Sequence, residues 1–198
     1  MKHSGTLRGN FRFSAIAVLN LSVAGLAICQ PAAIDTTKSR LTVHVYKAGI
    51  FSAFGHDHEI SAPIARGAVD MEKRMVELHV NARALKVQDA KVSDKDRDEI
   101  QATMLGPDVL DAETYKEIGF TSTRAEAESA GAWKVTGDLT FHGQTRPVSM
   151  DVRQNGGHYT GACEFQITDF GIKPVKAAGG TIRVKNEVKV EFDVQVAH

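Results

Sequence analysis

The last stretch of the chain constrains the fold most. Val188, Val190, Phe192, Val194 and Val196 alternate with Lys189, Glu191, Asp193 and Gln195. Successive side chains of a strand point to opposite faces, so this run makes a strand with one apolar and one wet face. The same period of two governs the chain from Ile34 onward. Trp133, Val135, Leu139 and Phe141 face away from Lys134, Thr136, Asp138 and Thr140, and Val148, Met150 and Val152 follow. Leu41, Val43 and Val45 open the domain, Val76, Leu78 and Val80 make another short strand, and Ile118 and Phe120 begin one more.

Turn residues separate these runs. Asn155-Gly156-Gly157 suits the positive φ angles of a tight hairpin, and Ser129-Ala130-Gly131 and Ala178-Gly179-Gly180 punctuate the chain in the same way. No long helical pattern lies between most of the strands, so antiparallel pairing is expected. One segment departs from the pattern. Ser93 to Leu105 reads SDKDRDEIQATML, with Ser93 and Asp96 as a capping pair, acids in the first turn, and Ile100, Thr103 and Met104 on one side before Pro107. The expected fold is therefore mainly β: about eight antiparallel strands, as a sandwich or a closed barrel, with one short α-helix in a long crossover. A barrel of that size can hold one small ligand if side chains do not fill it.

The first thirty residues read differently. Lys2, Arg8 and Arg12 precede an apolar run from Phe13 to Ile28, and no acid occurs before Asp35. A basic head followed by a short apolar body describes an export signal. Residues 1–33 are expected to be the leader, cleaved near 27–33, and residues 34–198 the folded domain, placed in the periplasm. Cys29 follows Leu26-Ala27-Ile28. A lipoprotein site needs a small residue before the cysteine, so anchoring at Cys29 is not expected. Cys163 is then unpaired or bonded to Cys29. Formal net charge is zero, which leaves no basic footprint for nucleic acid.

Several stretches resemble one family. VTGDLTFHGQTRPVSMDV, from Val135 to Val152, resembles the signature of the YceI-like domain family, the bacterial polyisoprenoid-binding proteins. RDEIQATMLGPDVLDAETYKEIGFTST, from Arg97 to Thr123, is similar to that family's helix-plus-strand region. The opening IDTTKSRLTVHVYKAGIFSAFG and the later FQITDFGI fit its start and its last third. The resemblance covers Ile34 to Ala197. It implies an extended, lipocalin-like, eight-stranded β-barrel, exported to the periplasm, that holds an isoprenoid lipid or quinone tail in an apolar channel. It implies no enzymatic activity and no cofactor beyond the bound lipid, and it leaves room for a transient membrane contact and a homodimer. Such a channel needs apolar walls with few polar anchors at its mouth. The expected wall residues are Phe51, Phe54, Ile60, Met104, Leu110, Phe120, Leu139, Phe141, Phe165 and Ile172; taken singly, each reads first as ordinary core, and the set is what points to a wall.

FGHDHEI, from Phe54 to Ile60, departs from the family's usual wording at this place. In a strand, His56, His58 and Ile60 share one face, and Asp57, Glu59 and Ser61 the other. Four readings stay open. The segment is a polar strand end freed by Gly55. Alternatively, His56 or His58 anchors a lipid head group by donating a hydrogen bond. The pair could also serve a metal- or haem-associated redox protein, although a zinc site generally takes three or four protein ligands. Lastly, Asp57 or Glu59 orients an imidazole for acid–base work, with no nucleophile motif beside it.

Overall fold

The computed structural model describes Met1 and residues 30–48, 57–177 and 182–197. Among these, one helix and twelve strands form the fold: β1 (Ala32–Ala33), β2 (Arg40–Ala48), β3 (His58–Ser61), β4 (Ile64–Asp70), β5 (Met75–Asn81), β6 (Lys86–Val87), α1 (Asp94–Leu105), β7 (Glu117–Ser129), β8 (Ala132–Phe141), β9 (Gln144–Asn155), β10 (His158–Gln166), β11 (Lys176–Ala177) and β12 (Ile182–Gln195). All strands join one antiparallel sheet in the order β1-β4-β5-β7-β8-β9-β10-β12-β2-β3-β6, with β11 paired to β12.

The sheet curls until β1 meets β12. Ile34, directly after β1, bridges Val196 at the end of β12. Its N–H donates to the Gly67 carbonyl of β4 at 2.9 Å, and Ala197 N–H donates to Ala33 at 2.7 Å. The result is barrel-like, as the alternating apolar faces require when no second sheet covers them.

The strand count differs from the eight that the periodicity predicts, because several strands are too short to show alternation and are set apart by local turns. Pro63, which has no N–H to donate, separates β3 from β4. A turn built on Asp35 divides β1 from β2; Asp35 Oδ1 accepts from Thr37 N–H at 3.1 Å and from Thr37 Oγ1 at 2.7 Å. The Thr37 hydroxyl is the main reason the Asp35 carboxyl lies below the usual range. Asn81 caps a 3-10 turn over Ala82–Ala84, which divides β5 from β6. The sheet also takes in Ala32 and Ala33, just ahead of the boundary expected at residue 34.

The hairpins follow the turn chemistry. Asn155 pairs with His158 across Gly156-Gly157, and Ser129 with Ala132 across Ala130-Gly131. Gly156 and Gly131 take φ values of 60° and 71°, a region costly for residues with a Cβ. The turn expected at Ala178-Gly179-Gly180 lies outside the described residues.

Helix α1 starts where expected: the Ser93 side chain accepts from Asp96 N–H at 3.2 Å. The helix lies across one end of the barrel. Met104 packs with Ile60, Val80, Leu85, Val87 and Leu110. Gln101 stitches the helix to β6, accepting from Val87 N–H at 2.9 Å and donating to the Leu85 carbonyl at 2.8 Å. Its amide thus stands in for a neighbouring strand on that edge.

Close approach inside the barrel depends on Gly137 of β8. A Cβ there would lie 2.5 Å from both Phe120 Cζ and the Thr121 carbonyl oxygen. One of those contacts is backbone and cannot swing away. Gly137→Ala should cost about 1–3 kcal/mol, the usual cost of overpacking. Urea unfolding should show a lower midpoint at an unchanged slope.

Candidate ligand-binding cavity

The barrel interior is hollow. A cavity of about 970 Å³ runs from the end covered by α1 to the opposite end, at the β4–β5 turn. That volume sits at the upper limit of ordinary ligand pockets, roughly 300–1,000 Å³. Both Val184 and Val194 of β12 line it. At about 3.3 Å per strand residue, the intervening chain spans roughly 33 Å, so the space suits a long ligand rather than a compact one.

Strand register builds the wall. Ala125, Val135, Met150, Cys163, Val190, Val43 and Ile60 are successive cross-strand partners across β7, β8, β9, β10, β12, β2 and β3. All of them face the cavity. A single row of pleated positions therefore wraps most of the barrel with hydrocarbon and one thiol.

The residues named from the sequence converge here. Ile60, Met104, Leu110, Phe120, Leu139, Phe141, Phe165 and Ile172 all line the cavity, and so does His58. Phe51, Phe54 and His56 lie outside the described residues. Sequence reasoning missed much of the wall. Val43, Val135, Met150 and Val190 were legible as inward strand positions, on the same faces as the named residues. Ala125 was not legible, because a register shift between Ser122 and Arg124 changes which residues of β7 point inward. Phe170 was missed as well. It is 1% exposed and meets Phe141 and Phe165 edge-on at 5.4 and 5.3 Å, bracing two wall aromatics from behind.

Both ends carry polar groups: Asp70, Arg74, Gln154 and Tyr159 line the cavity at the β4–β5 turn, and a larger set lines it beneath α1. Lys47, His58, Lys91, Ser93, Asp96, Glu99 and Arg183 make up that larger set. The acidic start of α1, readable as a plain solvated face, is thus exposed but placed at the mouth. Asp57 caps a strand end, its Oδ1 accepting from Lys47 N–H at 2.9 Å. Among the described residues, neither Asp57 nor Glu59 orients an imidazole through its side chain. That role falls to Asp89, 31 residues after His58: His58 Nδ1 donates to Asp89 Oδ2 at 2.6 Å. Glu59 contributes its backbone N–H, donated to Asp89 Oδ1 at 2.8 Å. The other histidines go elsewhere. His44 meets Glu191 on the outer face, His79 lies between Glu77 and Glu117, and His142 donates to the Phe170 carbonyl. Among the described residues, no three His, Cys, Asp or Glu side chains converge as a metal-binding set.

At the opposite end a chain of side chains lines the cavity. Trp133 Nε1 donates to Gln154 Oε1 at 3.0 Å, and Gln154 Nε2 donates to Tyr159 Oη at 3.3 Å. Arg74 covers the Trp133 ring at 5.8 Å. Burial raises the Tyr159 hydroxyl above its ordinary pKa.

Cys163 is a free, buried cysteine in the wall. Burial, with a smaller push from Glu164, raises its thiol to about 11. Because the folded value lies above the unfolded one, the thiol contributes full stability below the ordinary thiol range. That contribution is lost as pH rises through about 11. In a Cys29→Ser chain, a thiol reagent near neutral pH should label Cys163 slowly until denaturant is added. Fast stoichiometric labelling of the folded protein would contradict this placement.

A curled antiparallel barrel around an apolar cavity defines the class of lipocalin-like β-barrel proteins. Within that class the chain belongs to the YceI-like domain family, whose profile matches residues 33–196. A UPF0312 protein of Pseudomonas putida strain GB-1 is 33% identical over 85 residues, covering 38% of this chain and 44% of that protein. Another UPF0312 protein, from Vibrio parahaemolyticus, is 29% identical over 130 residues, covering 61% of this chain and 65% of that protein. The chain thus spans under half the length of the Pseudomonas relatives it matches. Among solved structures, BcnA of Burkholderia cenocepacia superposes with a TM-score of 0.58 at 19% identity, covering 83% of this chain and 99% of that one. The YceI protein of Campylobacter jejuni gives a TM-score of 0.52 at 12% identity, covering 100% of this chain and 99% of that one. At these identities the two structures bear on the fold alone.

Proposed function

We propose that the protein is an exported, non-enzymatic carrier that sheathes the tail of an amphipathic isoprenoid lipid, a polyprenyl lipid or a quinone, inside the barrel. The observation that carries this reading is the 970 Å³ apolar cavity spanning the barrel between its ends. Burying hydrocarbon is favourable by about 25 cal/mol per Å², so a long tail supplies affinity without specific contacts. The polar groups beneath α1 suit the head group, which stays near water. The basic and apolar run ahead of Asp35 supports export to the periplasm. Among the described residues, no helix is long and apolar enough to cross a membrane.

Titration with prenols of increasing length tests the reading. Affinity should climb with each added isoprene unit and then level off once the cavity is full. Equal affinity for short and long prenols would contradict it, because burial of tail surface would then not be the source of binding.

A further inference from the structure

We propose that His58 selects for a hydroxyl at the polar end of the ligand, as in a prenol or a hydroquinone, over the matching ether or quinone. This rests on the lipid-carrier reading and deepens it. The Asp89 side chain is 4% exposed. Its two oxygens accept from Glu59 N–H at 2.8 Å and from His58 Nδ1 at 2.6 Å. A carboxylate only accepts, so the ring proton sits on Nδ1. In the neutral ring the other nitrogen, Nε2, then carries a lone pair.

His58 precedes Ile60 by two positions on β3, and both line the cavity. The His58 side chain is 21% exposed, which places the ring at the boundary between apolar wall and solvent. The mouth thus presents an acceptor whose tautomer is set by a buried carboxylate. A hydroxyl can donate to it. An ether or quinone oxygen cannot, and its binding would strip water from Nε2 and leave it unpaired. The sequence alone suggested the opposite polarity, with a histidine donating to a quinone oxygen. Lys47, Lys91 and Arg183 also border this end and would favour an anionic head instead, so the test includes one.

The experiment compares geranylgeraniol, its methyl ether and geranylgeranyl phosphate on the full chain. Trp133 is the sole tryptophan and lines the cavity, so its fluorescence reports occupancy. The pH is set above the ordinary imidazole range, roughly 6.5. The alcohol should bind about tenfold tighter than the ether, the worth of one net hydrogen bond. His58→Phe should bind both alike, at the ether's affinity. Asp89→Asn is the sharper arm. The amide keeps an oxygen for Glu59 N–H and turns its NH₂ toward His58 Nδ1. The ring proton then moves to Nε2, and the preference should disappear, because hydroxyl and ether oxygens both accept from an N–H. A merely structural Asp89 would weaken both ligands and leave the alcohol preferred.

Three results would overturn the inference: alcohol and ether bound equally by the natural sequence, an alcohol preference that survives in His58→Phe, or a phosphate bound tighter than the alcohol with and without His58. If neither alcohol nor ether binds, the carrier reading itself fails and takes this inference with it.

Discussion

Replacing Val135 with tryptophan should leave the barrel folded and close it to long isoprenoids. Val135 lies in the middle of β8, between Ala125 and Met150 in the cross-strand row, and faces the cavity. At this level the cavity is ringed by the cross-strand row from Ala125 to Ile60, and an indole is far larger than the isopropyl group it replaces. A single indole added at this level therefore blocks the cross-section without rebuilding the wall. Tail carbons beyond the block stay in water. Losing about 100 Å² of buried tail costs about 2.5 kcal/mol, close to a hundredfold in Kd. Short prenols that end before Val135 should bind as they do to the natural sequence. Calorimetric titration of both lengths checks this, with circular dichroism to confirm the fold. Unchanged affinity for the long prenol would mean that the tail takes another path.

Phe170→Ala should produce the largest loss of stability. Phe170 is among the most buried large side chains and meets Phe141 and Phe165 through ring edges. Removing such a ring costs about 3–5 kcal/mol, part transfer and part cavity. Here the void opens behind two residues that themselves line the ligand space. Affinity should therefore fall too, as Phe141 and Phe165 lose their support. Denaturant unfolding with and without bound lipid separates the two effects, since the stability a ligand adds grows with the logarithm of its concentration over Kd.

Much of the barrel was legible because the period of two survives undisturbed in its longest strands. Val188 to Val194 and Trp133 to Phe141 each commit one face to the interior, and local patterning suffices to read them. The helix was legible for the same kind of reason: Ser93 and Asp96 cap it through contacts three residues apart. The strand count was less legible. Strands β1, β6 and β11 have two residues each, too few to show any alternation.

The candidate site divides along the same boundary between local and distant. Its greasy members follow from alternation. Its polar centre does not, because His58 takes its meaning from Asp89, a residue 31 positions away in an unpatterned stretch. The inward shift to Ala125 comes from a register change that no residue type announces. Asn186 shows the same limit. It sits in the register irregularity of β12 between Val184 and Val188, and its side chain accepts from Thr168 N–H at 3.1 Å and donates to Gln166 at 3.1 Å. Alternation cannot reveal that an asparagine holds a turn on the neighbouring strand.

Solvent extraction and mass spectrometry of the protein purified from its native host test the central claim most directly. A lipid with an isoprenoid tail, recovered near one per barrel and absent from the Val135→Trp variant prepared alongside, is the expected result. A barrel that yields no lipid, or yields the same lipid with its channel blocked, would contradict it.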